Sequence, residues 1–347
     1  MRQFPAIQGA FLALFAAVLF GASTPFIQVL GKDVSPWMVA GLLYAGAALT
    51  GLFSLSHVSR EAALARIHLP RLLLMALFGA LLGPTLLAWG LQHTNGASAS
   101  LMLTLEAVFT VVLAALLYHE RVDRRVVSAI ALMTCGGAIL VVDHLGGDQT
   151  QIWGLVAVLA ATLAWAIDNT LSRALADVDP SQVVVAKATL GASASFIIAA
   201  ISGHMNMSAG VALGLLLIGA SGYGLSLRLY LLAQRSFGAA RTGSVFAAAP
   251  FIGAAIAFAL GERSFSLWMG LAAVLMMVGV ILHLLEQHEH EHLHLDMDHE
   301  HAHSHDDGHH NHTHDPMPVG PHSHAHHHEP MTHRHPHVPD QHHVHHH

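Results

Sequence analysis

Along residues 8–286 the hydrophobic positions run in blocks of about twenty, separated by connections of three to roughly fifteen residues. A block that long is what an α-helix needs to cross a hydrocarbon core about 30 Å thick. Ten blocks are legible, at about 8–30, 36–55, 71–92, 97–118, 125–143, 152–175, 182–203, 209–232, 240–261 and 265–286. They predict an all-α integral membrane protein of ten transmembrane helices, with no room between them for a soluble domain. The first block, with Arg2 ahead of it and Gly21-Ala22-Ser23 near its end, imitates a signal peptide. It is read as a retained first span, because nine further spans follow and it has a counterpart later in the chain.

The pattern changes near Gln287. Of the 32 histidines, 25 fall in the 61 residues 287–347, and half of the 22 acidic residues lie from Glu286 onward. The chain as a whole is 53% hydrophobic and 11% charged, so the part before the tail is more apolar than the average. Low complexity and Pro316, Pro318, Pro321, Pro330, Pro336 and Pro339 predict a disordered tail without a packed core. The one cysteine, Cys135, lies within a span, so disulfides play no part.

Basic residues orient the spans. With the N-terminus inside, the inner side collects Arg2, Arg60, Arg66, Arg71, Arg121, Arg124, Arg125, Arg173, Arg235 and Arg241. The outer side keeps only Lys32 and Arg263. That is a strong positive-inside bias. It predicts a multi-pass protein of the bacterial inner (plasma) membrane with both termini, and hence the tail, in the cytoplasm.

The two halves repeat. At an offset of 142 residues Gln92 falls on Gln234, Gly96-Ala97 on Gly238-Ala239, Phe109 on Phe251 and Glu120-Arg121 on Glu262-Arg263. Gly137 falls on Gly279 and Ile139-Leu140 on Ile281-Leu282 at the same offset, and Asp33-Val34-Ser35-Pro36 parallels Asp177-Val178-Asp179-Pro180 at 144. Five spans per copy is an odd number, so the second copy lies inverted in the bilayer. Inverted repeats that rock about a central site are a transporter device. The expected organisation is a first repeat over 1–143, a second over 144–286 and the tail over 287–347.

These features resemble the EamA-type branch of the drug/metabolite transporter superfamily over about residues 8–286. The resemblance is carried by the two five-span copies, the glycine-alanine starts of the fourth and ninth spans, and the Glu-Arg that closes 105–121 (LEAVFTVVLAALLYHER) and 247–263 (AAAPFIGAAIAFALGER). It implies a secondary carrier with ten helices and both termini cytoplasmic, exporting amino acids, other metabolites or toxic solutes. Members often have proline in both the fourth and ninth helices; this chain has Pro250 but Val108 at the matching place. The first half is therefore expected to bend less than the second.

Few residues bring chemistry into the spans. Glu106 lies mid-way along the fourth, Asp168 and Asn169 in the sixth, Lys187 in the seventh and Arg228 in the eighth. Ionisable groups at such depth are functional candidates by default, although two acids and two bases can also neutralise one another structurally. Met102, Glu106 and Thr110 recur every four residues, which predicts one shared helical face and a carboxylate able to bind a cation or carry a proton. Ser23-Thr24-Pro25, Pro84 and Pro250 mark spans that can bend, and Trp89, Trp165 and Tyr223 are candidate path-lining aromatics with core packing the blander reading. Gly219-Ala220-Ser221-Gly222 resembles an intramembrane serine protease signature, but the only later histidine before the tail, His283, sits at a span end. No GxxxxGK[ST] loop is present. An enzyme is not expected.

In the tail, imidazole suits nickel, cobalt and zinc. His288/His292, His290/His294, His299/His303 and His301/His305 have helical i,i+4 spacing for chelation, and a cytoplasmic pH sensor is the alternative use. The leading expectation is proton-coupled efflux of a divalent transition metal captured by that tail. Export of an amino acid or other small metabolite, with Lys187 or Arg228 recognising a carboxylate and the tail regulating, is the alternative. A metal-sensing or storage protein without transport is a third. The expected partners are the lipid bilayer and a small solute or metal ion, with a homodimer as one possible assembly and no nucleic acid; no cofactor is required.

Overall fold

The computed structural model describes residues 5–54, 64–118, 122–145, 149–172, 175, 178–237 and 239–284. In the tail it describes 289–294, 297–303, 322–328 and 331–336. The expected spans are helices: α1 (Pro5–Gly31), α2 (Pro36–Ser54), α3 (Arg66–His93), α4 (Gly96–Tyr118), α5 (Arg124–Asp143), α6 (Gln149–Ser172), α7 (Pro180–Ile201), α8 (Ala209–Ala233), α9 (Arg241–Ala259) and α10 (Leu267–Leu284). Among the described residues nine are long and apolar enough to cross a membrane; α2, apolar over Pro36–Leu52, is shorter. The connections α1–α2, α3–α4, α5–α6, α7–α8 and α9–α10 fall at one end of the bundle, called here the far face.

Several helices start where the sequence supplies an acceptor for their unpaired amides. Asn95, Asp123 and Ser208 accept from Ser98 N, Val126 N and Val211 N. Asp179 accepts from Ser181 N and Gln182 N, with Pro180 in the first helical position, where its missing N–H is no loss.

The helices pack as two related sets of five. α2 lies on α7, α4 on α9, and α5 on α10; α1 packs on α8 and α9 as α6 packs on α3 and α4. These contacts between the halves come in pairs related by exchange of the halves, the pattern required of two inverted five-helix repeats. Small residues permit the closest approaches. A methyl group on Gly46 would overlap the Leu216 carbonyl oxygen and come within 2.6 Å of Ala220 N. A methyl on Gly191 would overlap Ala80 in the other half.

Both glycines meet an irregular helix. Residues Ala76–Leu82 of α3 and Gly219–Leu225 of α8 are π-helical, 143 residues apart and therefore equivalent in the two halves. α4 is also interrupted. It turns at Leu103 and Thr104 between Gly96–Met102 and Leu105–Tyr118, where Thr104 gives both its amide and its hydroxyl to Leu101 O. α9 turns at Ala247 and Ala248, ahead of Pro250. Both α4 and α9 are thus interrupted, the first without proline, and the Thr104 hydroxyl bonds back to its own helix at the break.

In the tail, β1 (Glu289–His294) pairs antiparallel with β4 (Met331–Pro336) and β2 (Met297–His303) with β3 (His322–His328). Two-stranded ribbons of this kind are marginal in water on their own.

Candidate functional site

Three of the charged residues of the spans, Glu106, Asp168 and Lys187, come together where α4, α6 and α7 meet the π segment of α3. Lys187 Nζ lies 2.6 Å from Asp168 Oδ2, joining α7 to α6. Asp168 is 5% exposed and sits directly on Gly79, where any side chain would displace it. The Gly79 carbonyl takes two donors, Trp165 Nε1 at 2.9 Å and the Tyr44 hydroxyl from α2. Gly83 N donates to Phe78 O in the π register, so the donor due to Gly79 O would be Pro84, which has no N–H, and this carbonyl is free to fasten three helices around the aspartate. Trp165 is therefore a structural donor with a buried ring.

Glu106 stands beside this pair. It occupies the first turn of the second half of α4, and Asn169 Nδ2 donates to its Oε1 at 2.7 Å. Sequence spacing places Glu106 mid-helix; the break at 103–104 instead makes it the acid at the N-terminus of a half-helix, where negative charge is favoured. The same break means that Met102, Glu106 and Thr110 do not run along one continuous helix. Met102 is buried in the preceding segment, and the Thr110 hydroxyl donates to Glu106 O at 2.9 Å. Glu106, Asp168 and Lys187 lie within electrostatic reach of one another, and Tyr44 and Tyr223 within reach of Glu106. Two carboxyl groups and one amine thus share this site.

An aromatic run begins beside the charges, at Tyr44. Tyr44 and Tyr223 have ring centroids 5.7 Å apart, Tyr223 and Phe20 5.8 Å, Phe20 and Phe246 5.5 Å, and Phe246 and Tyr230 4.9 Å. Only Tyr223 of this run stands out from sequence; the others lie on four different helices and carry no local motif. Other candidates fall elsewhere. Arg228 is exposed on α8 and has no ion-pair partner among the described residues. Trp89 stacks on His93 at 4.0 Å. Ser221 donates to Leu217 O at 2.8 Å within the π segment of α8, so its hydroxyl serves its own helix.

Among the described residues no three His, Cys, Asp or Glu side chains converge to hold a metal ion. His290, His292, His294, His299, His301 and His303 lie on the extended segments β1 and β2, while His288 and His305 lie outside the described residues. Helical i,i+4 chelation is not the arrangement there, since residues four apart on a strand are about 13 Å apart. The register instead sets His290 opposite His335 and His292 opposite His333, and in the other ribbon His299, His301 and His303 opposite His326, His324 and His322.

Comparison with known proteins agrees with this geometry. The EamA-like transporter family profile matches residues 7–142 and again 152–285. An "uncharacterized transporter" of Methanothermobacter thermautotrophicus is 27% identical over 289 residues, 77% of this chain and 83% of its own length. A "probable amino-acid metabolite efflux pump" of Escherichia coli is 29% identical over 166 residues, 47% of this chain and 52% of its own. The Salmonella typhimurium protein of the same name is 28% identical over 179 residues, 50% and 56% respectively, so the chain spans about half the length of these two pumps. One solved crystal structure, 18% identical, superposes with a TM-score of 0.60 over 79% of this chain and 95% of its own, a likeness of fold alone.

Proposed function

The chain belongs to the EamA-like transporter family, and on that premise we propose that it exports an amino acid or similar zwitterionic metabolite in exchange for protons. The observation that carries this reading is the Lys187–Asp168 pair with Glu106 beside it. A buried ammonium needs a counter-charge, and Lys187, with three donors, can take a substrate carboxylate alongside Asp168. The substrate ammonium then has Glu106, held toward the site by Asn169. A proton on Glu106 in the empty carrier and a substrate ammonium in its place in the loaded one keep Glu106 itself compensated in both states. The names of the two bacterial efflux pumps point the same way.

Metal efflux, the leading expectation from the tail, has less support. The membrane site offers carboxylates and no histidine or cysteine, and no metal-holding cluster occurs among the described residues. Metal therefore enters the proposal at the tail, where the facing histidines of the β1–β4 and β2–β3 pairs would take nickel, cobalt or zinc as a regulatory load. The arginine distribution supports a bacterial plasma-membrane location with the far face outside and the tail in the cytoplasm. Everted vesicles carrying the protein, energised with an imposed pH gradient, test the function. Uptake is expected for members of an amino-acid panel and not for nickel, cobalt or zinc; the reverse result restores the metal reading.

A further inference from the structure

The charged site is not the only carboxylate that joins the two halves. Glu262, in the connection after α9, reaches across to the start of α4. Its Oε2 accepts from Gly96 N at 2.9 Å and Ala97 N at 3.2 Å, while Ser264 Oγ donates to Oε1 at 2.8 Å. The first amides of a helix have no intrahelical partner, and a carboxylate satisfies them with charge as well as geometry. Further bonds close the far face around it. Gln28 Nε2 donates to Thr94 O at 2.9 Å, and Gln92 Nε2 donates at 2.7 Å to both Gly31 O and Val34 O. Ser266 donates to Asp143, joining the start of α10 to the end of α5.

What lies behind this closure is polar and unsatisfied. The hydroxyls of Thr94, Ser98 and Ser100 are buried with no hydrogen-bond partner. Ser100 faces Gly253 of α9, so it stands in the seam between α4 and α9 that Glu262 seals. A buried hydroxyl left unpaired is costly, and the cost disappears when water reaches it. The unpaired Ser100 hydroxyl in that seam, with Ser98 two residues nearer the Glu262 contact, is what a surface hydrated in another conformation leaves when it closes.

We propose that Glu262 is a gating latch. Its carboxylate on the Gly96 and Ala97 amides holds the α4–α9 seam shut at the far face, and its release opens that seam to water and substrate. The inference rests on the transporter reading and needs no particular substrate. It also gives a use to a sequence feature otherwise unexplained. The 142-residue offset that carries Glu262 onto Glu120 carries Gly96-Ala97 onto Gly238-Ala239, so the same pair of groups is written for the opposite face. Glu120 and Gly238 lie outside the described residues.

The test uses the full chain with Cys135→Ser and a single probe, Ser98→Cys, labelled in intact cells by a membrane-impermeant maleimide. Slow labelling is expected with Glu262 present, and labelling at least about fivefold faster with Glu262→Ala, as the closed population falls. Glu262→Gln keeps the size and one acceptor oxygen and is expected between the two; it provides the reading if Glu262→Ala does not accumulate. Faster labelling seen only in everted vesicles would keep the latch and reverse the proposed orientation. An unchanged rate in membrane-inserted variants overturns the latch, even if their melting temperature falls, because a merely structural contact would lower stability without exposing Ser98. No substrate is present in the assay, so an error in the substrate assignment cannot imitate that result.

Discussion

The Lys187 ammonium on α7 lies 2.6 Å from the Asp168 carboxylate on α6, while the second oxygen of that carboxylate, Oδ1, is buried without a hydrogen-bond partner. The lysine is thus the aspartate's main compensation, and the two cannot be treated as independent sites. Removing one partner of a buried pair leaves an uncompensated charge and costs about 3–5 kcal/mol, whereas removing both together can be nearly neutral. Lys187→Met is expected to lower the thermal midpoint of the detergent-purified protein sharply, and Lys187→Met with Asp168→Asn to recover most of it. If the substrate carboxylate binds Lys187, the stable double variant still fails to transport. Full transport by that variant would leave the pair a structural role alone.

Glu106 is expected to couple transport to protons. Glu106→Gln keeps shape and a hydrogen bond to Asn169 but cannot ionise. The variant should insert normally and lose flux driven by a pH gradient, while exchange of labelled for unlabelled substrate at equal pH continues. Undiminished proton-driven flux in a well-expressed Glu106→Gln protein would remove the assignment.

Packing at the crossing of α2 and α8 gives a stability prediction. A methyl group at Gly46 overlaps the Leu216 carbonyl and approaches Ala220 N to 2.6 Å, contacts with backbone that no rotamer can relieve. Gly46→Ala is expected to cost about 1–3 kcal/mol through overpacking. Gly210, in the first turn of α8, has open space about its would-be side chain, and Gly210→Ala should be neutral or slightly stabilising. Thermal unfolding of both variants in one detergent decides, and equal midpoints would contradict the crossing.

The tail should bind metal by its neutral imidazoles. Calorimetry on the full-length protein is expected to show several nickel or zinc sites at neutral pH that are absent from a protein lacking residues 287–347. Imidazole near its ordinary pKa of about 6.5 gains protons as the pH falls, so binding should be lost by about pH 5. Deleting the tail should alter regulation more than maximal flux. Identical metal isotherms with and without residues 287–347 would refute a role for the tail histidines.

Much of the scaffold is legible in the chain because the bilayer imposes it. Ten apolar blocks and a 142-residue offset are enough to expect ten helices in two opposed sets, since hydrocarbon thickness fixes span length and an odd count fixes inversion. What joins those helices is less legible. Asp168 and Lys187 each stand out as ionisable residues within spans, but their pairing depends on how α6 crosses α7, which no local spacing encodes. The break in α4 has no proline to announce it; its only sequence trace is Thr104, one of many threonines. Tyr44 and Trp165 meet at the Gly79 carbonyl because the π register sets Pro84, without an N–H, where its donor would be; Pro84 is visible in the sequence, but nothing in ALFGALL announces the register. Glu262 is visible only as half of a repeated Glu-Arg pair, with its bond to Gly96 across 166 residues hidden.

The equivalent π segments at 76–82 and 219–225 have a historical consequence. A shared irregularity at matching places in two homologous halves is inherited once more economically than acquired twice, which dates the extra residue in each helix to before the duplication. The single-copy ancestor would then have been a five-helix protein with this widened turn already in its third helix. The charges came to differ later: Glu106 faces Ala248 in the sister copy, and Lys187 and Asp168 belong to the second copy alone. The fold's symmetry is thus ancestral, and its chemistry is the younger, lopsided layer written over it.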